Sequence, residues 1–196
     1  MKSIDTAGAL DGTLGREERR SLVARRQSLP VEAIAALCGA KKTVALAESC
    51  TGGLCAALFT EAPGACAAFV SSAVVYQTQA KSDLCGLAPD FVARFGPVSA
   101  EVSEALAKAV RERSGADLGI AITGWAGPSG GTADDPVGTV YLAIADSAES
   151  RVFRRHIEGD RGEVRLCAAL LALNLALEWA RRGGNAMSSR ENQPST

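Results

Sequence analysis

Ser49, Tyr76 and Lys81 are the residues whose types and surroundings suit covalent acyl-transfer chemistry. Ser49 stands in Ala47-Glu48-Ser49-Cys50-Thr51-Gly52-Gly53, between the apolar runs Thr43-Val44-Ala45-Leu46 and Leu54-Cys55-Ala56-Ala57-Leu58-Phe59. This order predicts a buried strand, a tight corner and a helix that returns across the sheet. A hydroxyl at the carboxyl end of such a strand lies on the edge where open α/β sheets bind ligands. The backbone N–H groups of Cys50, Thr51, Gly52 and Gly53, at the helix start, would favour an anion or a developing oxyanion. A purely architectural corner is the competing reading, because small residues also suit a tight turn.

Phe69-Val70-Ser71-Ser72-Ala73-Val74-Val75-Tyr76 predicts a second strand, followed by a short helix with Thr78 as its N-cap. Tyr76 at the strand end and Lys81 in the first helical turn can then both point into the crevice. The positive end of the helix dipole disfavours an ammonium, which would help hold Lys81 as a free amine. Such an amine can take the proton of a serine, as in Ser-Lys variants of the serine–histidine arrangement. The single histidine, His156, lies in a strand-like run beside Arg154 and Arg155 with no marked carboxylate partner, and reads as surface or structural. For Lys81 the alternative is an ordinary solvated lysine. Cys50 shares the helix start, which can activate a thiol, but adjacent side chains on an extended segment point apart.

Asp117 to Thr123 predicts a further buried strand, running into the glycine loop Gly124-Trp125-Ala126-Gly127-Pro128-Ser129-Gly130-Gly131-Thr132. Repeated glycines suggest a backbone wrapped around a ligand, with Thr123 and Ser129 adding hydroxyl contacts. The loop has neither Walker nor dinucleotide spacing, and a flexible hairpin is the alternative. Arg161 and Arg165, one turn apart at the start of the last helix, could present forked donors to a phosphate or form a surface pair. The backbone of Gly130-Gly131-Thr132 is the competing phosphate site.

These segments, with Gly96-Pro97-Val98-Ser99, Thr123-Gly124-x-Ala126-Gly127-Pro128 and Pro136-Val137-Gly138-Thr139-Val140, resemble the CinA C-terminal domain family from about Val31 to Arg182. Its characterised members are nicotinamide-nucleotide amidohydrolases. The resemblance implies hydrolysis of the carboxamide of nicotinamide mononucleotide to nicotinic acid mononucleotide and ammonia, with no metal and no cofactor. It also implies Ser49 as nucleophile, Lys81 as general base and Tyr76 as an assisting phenol, while the glycine content of the loop makes Thr123, Gly124, Gly127, Gly130 and Gly131 the candidate substrate-binding residues. Many members read Tyr-Ser-Asn-Glu-Ala-Lys where this chain has Tyr76-Gln77-Thr78-Gln79-Ala80-Lys81, and Trp125 replaces a small aliphatic residue. Some relatives lack activity, so the alternative is a non-catalytic nucleotide-binding or regulatory module. Full-length CinA proteins carry an additional N-terminal nucleotide-binding domain, for which these 196 residues leave no room.

The chain of 196 residues, 47% hydrophobic, predicts one core, and alternating strands and helices predict a single three-layer α/β/α domain with a mostly parallel, mixed sheet. The expected division is a mobile tail over 1–25, the amidohydrolase domain over 26–182 and a second tail over 183–196. A net charge of −1 gives no electrostatic case for nucleic acid or membrane binding. The six cysteines show neither C-x-x-C nor metal spacing and, without a signal peptide or transmembrane run, read as reduced thiols of a cytoplasmic protein. Helices are expected from Pro30 to about Ala40 and from the N-cap Ser99, and antiparallel strands over Gly138 to Ala145 and Arg151 to Ile157. The last helix, about Arg161 to Arg182, is apolar nearly all round, so it must be heavily covered; a homo-oligomer is expected, with a subunit partner as one candidate cover.

Overall fold

In the computed structural model, which describes residues 12–183, the strands are β1 (Gly12–Leu14), β2 (Val44–Glu48), β3 (Phe69–Val74), β4 (Leu118–Gly124), β5 (Thr139–Ala145) and β6 (Ser150–Ile157). The α-helices are α1 (Arg16–Ala24), α2 (Ser28–Ala40), α3 (Leu54–Thr60), α4 (Thr78–Cys85), α5 (Pro89–Phe95), α6 (Ala100–Ser114) and α7 (Arg161–Arg181). The strands form one sheet in the order β1-β6-β5-β4-β2-β3. β2 pairs parallel with β3 and β4, and β1 parallel with β6, while β5 runs antiparallel to both of its neighbours. The expected three-layer mixed architecture is therefore the observed one.

Residue size alternates along the central strands, and this decides which helices pack on which face. Val44, Leu46, Ile120, Ile122, Val140, Leu142 and Ile144 face a thick core shared with α2, α3 and α7. Ala45, Ala47, Ala121, Ala143 and Ala145 face the other side, where α6 lies close against the sheet. The approach is so close that a Cβ on Gly119 would overlap the Ala107 carbonyl, so only glycine fits there. Ser99 caps α6 by accepting the Val102 N–H (3.2 Å), as its sequence position predicts.

Three expectations change. The N-terminal tail does not reach residue 25, because Gly12–Leu14 adds a parallel strand beside β6 and α1 packs on α7. Leu22 is buried, Arg19 pairs with Glu163 (3.1 Å) and Arg25 donates to Asn174 (3.0 Å). A three-residue strand is too short to show alternation, and α1, Arg-Glu-Glu-Arg-Arg-Ser-Leu-Val-Ala, is charged over its first five residues and buries only Leu22. Residues 1–11 and 184–196 lie outside the described residues. Thr78 is the first residue of α4, and its N-cap is Gln77. Finally, α7 is buried at all but Arg165, Leu166 and Glu178 between Val164 and Ala180, packed against α1, α2, α3 and the sheet of the same chain, so no subunit partner is needed to cover it. No helix of the described residues is long and apolar enough to cross a membrane.

Candidate active site

At the carboxyl ends of β2 and β4, a cavity of about 640 Å³ is lined by Ser49, Cys50, Tyr76, Lys81, Gly124, Trp125, Gly127 and Arg161. Gln77, Thr78, Gln79, Pro97, Val98, Ala126 and Ser129 complete its wall. The topology accounts for the convergence. Parallel β2, β3 and β4 deliver their following loops to one edge, and each loop carries one of the chemical groups.

Ser49 lies just past β2, anchored by its own N–H to the Ile122 carbonyl (2.9 Å), and is 7% exposed. The corner after it is a hydrogen-bonded turn in which the Gly52 N–H donates to the Ser49 carbonyl (3.1 Å). Gly52 and Gly53 have positive φ (61° and 92°), a conformation that explains the paired glycines.

Glu48 holds this corner from beneath, which the sequence reading did not foresee. Its carboxylate is 0% exposed and accepts the N–H groups of Gly53 and Cys55 on Oε2 (3.0 Å each). Oε1 accepts the Ala56 N–H (2.9 Å) and the Ser72 hydroxyl (3.0 Å). The helix start is thus already occupied by an anion from its own chain. Gly52 and Gly53 have spent their N–H groups and cannot serve an oxyanion, contrary to expectation. The Cys50 and Thr51 N–H groups donate to no backbone carbonyl and interact with the Cys50 sulfur, and of the two residues only Cys50 lines the cavity.

Lys81 is 1% exposed, unlike a solvated lysine, and its Nζ donates to the Val75 carbonyl (3.0 Å). Burial pushes its pKa below the ordinary lysine value, opposed by the Cys85 and Cys50 thiols. It makes no hydrogen bond to Ser49 among the described residues. Burial pushes the Cys50 thiol up to about 12, the reverse of activation. Tyr76 lies beyond the end of β3 and is 56% exposed; its hydroxyl accepts from Arg161 Nη2 (2.9 Å). Arg161 Nη1 donates to the Gly127 carbonyl (2.7 Å), so this guanidinium ties the phenol to the glycine loop across the cavity mouth.

The expected substrate-binding set divides. Gly124, Gly127 and Arg161 line the cavity. Thr123 does not, being fully buried with its hydroxyl paired to Ser103 (2.8 Å), where it fastens α6 to β4. Gly130 and Gly131 serve the loop itself. A Cβ on Gly130 would fall 2.8 Å from Trp125 Cε3, and one on Gly131 2.8 Å from the Val137 nitrogen. Trp125 thus fills space that a smaller residue would leave between the loop and its own glycine. Arg165 turns away from the cavity and donates to the Cys50 (3.2 Å) and Thr51 (2.8 Å) carbonyls. The arginine fork is not a shared phosphate clamp. Only Arg161, of the pair, faces the cavity.

A model of the CinA C-terminal domain matches residues 26–180. The chain belongs to the CinA C-terminal domain family. Curated CinA-like proteins from Geobacter sp. strain M21 and Myxococcus xanthus are both 48% identical, over 132 and 134 residues. Those alignments cover 67% and 68% of this chain and 32% of each relative, so the chain spans about a third of the length of the curated CinA-like proteins it matches. Among solved structures, a CinA superfamily protein from Klebsiella pneumoniae superposes with a TM-score of 0.76 at 27% identity, covering 80% of this chain and 98% of that one. A competence/damage inducible protein from Agrobacterium tumefaciens gives 0.73 at 34% identity, covering 78% and 95%.

Proposed function

We propose that this CinA-family chain is a nicotinamide-nucleotide amidohydrolase that converts nicotinamide mononucleotide and water to nicotinic acid mononucleotide and ammonia. The observation that carries this reading is the convergence on one cavity of Ser49, Tyr76 and a buried Lys81 whose pKa burial lowers. Its volume falls within the range that accommodates small ligands of nucleotide size.

Lys81 accepts the proton of Ser49 as Oγ attacks the carboxamide carbon. This requires Nζ to exchange its bond to Val75 for one to Ser49, the kind of tightening that accompanies substrate binding. The tetrahedral oxyanion faces the Cys50 N–H. Collapse breaks the C–N bond, and the proton held on Lys81 leaves with ammonia. Water, deprotonated by the same amine, then attacks the Ser49 ester, and as the acyl–oxygen bond breaks Ser49 Oγ takes that proton back from Lys81, freeing the acid and restoring both groups. The Tyr76–Arg161 pair borders the mouth and offers the phenol hydroxyl and spare guanidinium donors to the sugar-phosphate end of the substrate.

The test is ammonia release from nicotinamide mononucleotide by the purified protein, with formation of the nicotinic acid nucleotide followed in parallel. Turnover that disappears in Ser49→Ala supports the reading. A folded protein that binds the mononucleotide without releasing ammonia refutes it and makes the chain a binding module.

A further inference from the structure

We infer that Arg165 is a positioning residue for the nucleophile corner, fixing the peptides that follow Ser49 rather than touching substrate. The inference deepens the proposed reaction and rests on it for the identity of the substrate, but its geometric basis is independent.

The corner has three carbonyls in succession. Ser49 O accepts the Gly52 N–H, whereas Cys50 O and Thr51 O accept from Arg165 Nε (3.2 Å) and Nη2 (2.8 Å). One rigid, planar guanidinium therefore grips two consecutive peptide groups. A trans peptide carries its C=O and N–H in opposite directions. Drawing the Cys50 carbonyl towards Arg165 thus turns the Thr51 N–H away from it, and the adjacent Cys50 N–H donates to no backbone carbonyl.

Arg165 comes from the second turn of α7, a helix buried along most of its length, so the grip is referred to the firmest element of the fold. Glu48 holds the same corner through Gly53, Cys55 and Ala56. The corner is clamped by a guanidinium on its carbonyls and a carboxylate on its later N–H groups, and Ser49 and Cys50 at its start line the cavity. A lysine could satisfy one carbonyl well but cannot reproduce the planar fork.

Geometry of this kind matters to rate more than to binding. A misplacement of about 1 Å at the reacting groups can cost about a hundredfold in rate. Arg165→Lys and Arg165→Gln should therefore lower kcat by about ten- to a hundredfold with KM for the mononucleotide within about twofold. Arg165→Lys should retain more activity than Arg165→Gln.

The experiment has two arms. The first measures kcat and KM of wild type, Arg165→Lys and Arg165→Gln on nicotinamide mononucleotide and on nicotinamide riboside. Positioning predicts equal losses of kcat on both substrates. A rise in KM confined to the mononucleotide would make Arg165 a phosphate ligand and overturn the inference. The second arm needs no natural substrate. A fluorophosphonate reacts with Ser49 by forming an Oγ–P bond and breaking P–F, the serine proton passing to Lys81 and fluoride leaving. Its labelling rate, read by intact mass, should fall by about tenfold or more in both variants while their urea midpoints stay near wild type. Unchanged labelling in folded variants overturns the inference while leaving the proposed reaction standing. Slowed labelling in a protein that releases no ammonia overturns the proposed reaction and keeps the inference. A wild type that neither labels nor turns over overturns both.

Discussion

Replacing Glu48 with glutamine tests whether an internal carboxylate holds the nucleophile corner. The wild-type side chain accepts from Gly53, Cys55, Ala56 and Ser72, all within 3.0 Å, with no exposure to water. An amide offers only one acceptor oxygen. If its nitrogen takes the Oε2 position, the Gly53 and Cys55 N–H groups face another donor. If it takes the Oε1 position, the Ser72 hydroxyl can turn to accept, but the Ala56 N–H is stranded. The cheaper arrangement leaves one buried N–H unsatisfied and weakens the remaining charge-assisted bonds, for a total of about 2–4 kcal/mol. That is a large share of the roughly 5–15 kcal/mol by which domains are stable. For a domain of this length it corresponds to a fall in Tm of about 4–16 °C. Differential scanning calorimetry and urea unfolding read it directly. A Glu48→Gln protein that melts within about 1 °C of wild type, at an unchanged urea midpoint, would refute the clamp.

Ser49→Ala should abolish ammonia release while Cys50→Ala retains most of it, because a thiol at about 12 is thiolate to only about one part in 10⁵ at neutral pH; the reverse pattern in the same assay would reassign the nucleophile. Burial lowers the Lys81 pKa, so kcat/KM should rise with pH through an apparent pKa below 10.5 as the amine loses its proton, and Lys81→Met should remove that limb with the activity. A profile flat from acid to alkaline pH, with chemistry rate-limiting, would exclude this base. Arg161→Ala should narrow the preference for the mononucleotide over the riboside by roughly ten- to a hundredfold, corresponding to about 1.5–3 kcal/mol for one charge-assisted contact. An unchanged ratio of kcat/KM values would move phosphate binding away from the cavity mouth.

The strands that deliver the site were legible because each is a short apolar run ending in glycine or a hydroxyl residue. Ser49, Tyr76 and Lys81 stood out for the same reason: reactive groups placed where such runs stop. What escaped notice was how polar groups are spent. Glu48 ends an apolar strand, and nothing in its spacing says that three backbone N–H groups and a hydroxyl will converge on it. Thr123 reads as a loop-facing hydroxyl, yet alternation along β4 turns it towards Ser103 on α6. Arg161 and Arg165 share a helix face in sequence terms. Tertiary placement gives one to the cavity and the other to the backbone beneath it. Gly130 and Gly131 show that glycine content marks close approach without saying whether a ligand or the loop's own indole is approached.

The pairing of Gly12–Leu14 with β6 bears on how this domain can be isolated. The family match begins at residue 26, so a fragment cut there would lose β1 and α1 together. The outer side of β6, from Arg155 to Ile157, would then carry a bare row of hydrogen-bonding groups. The face of α7 now under α1 would be stripped of Leu22 at the same time. Bare strand edges beside fresh apolar surface are templates for sheet-to-sheet aggregation. The residues that look least structured in the sequence thus act as a selvage, and a soluble fragment should begin no later than Gly12.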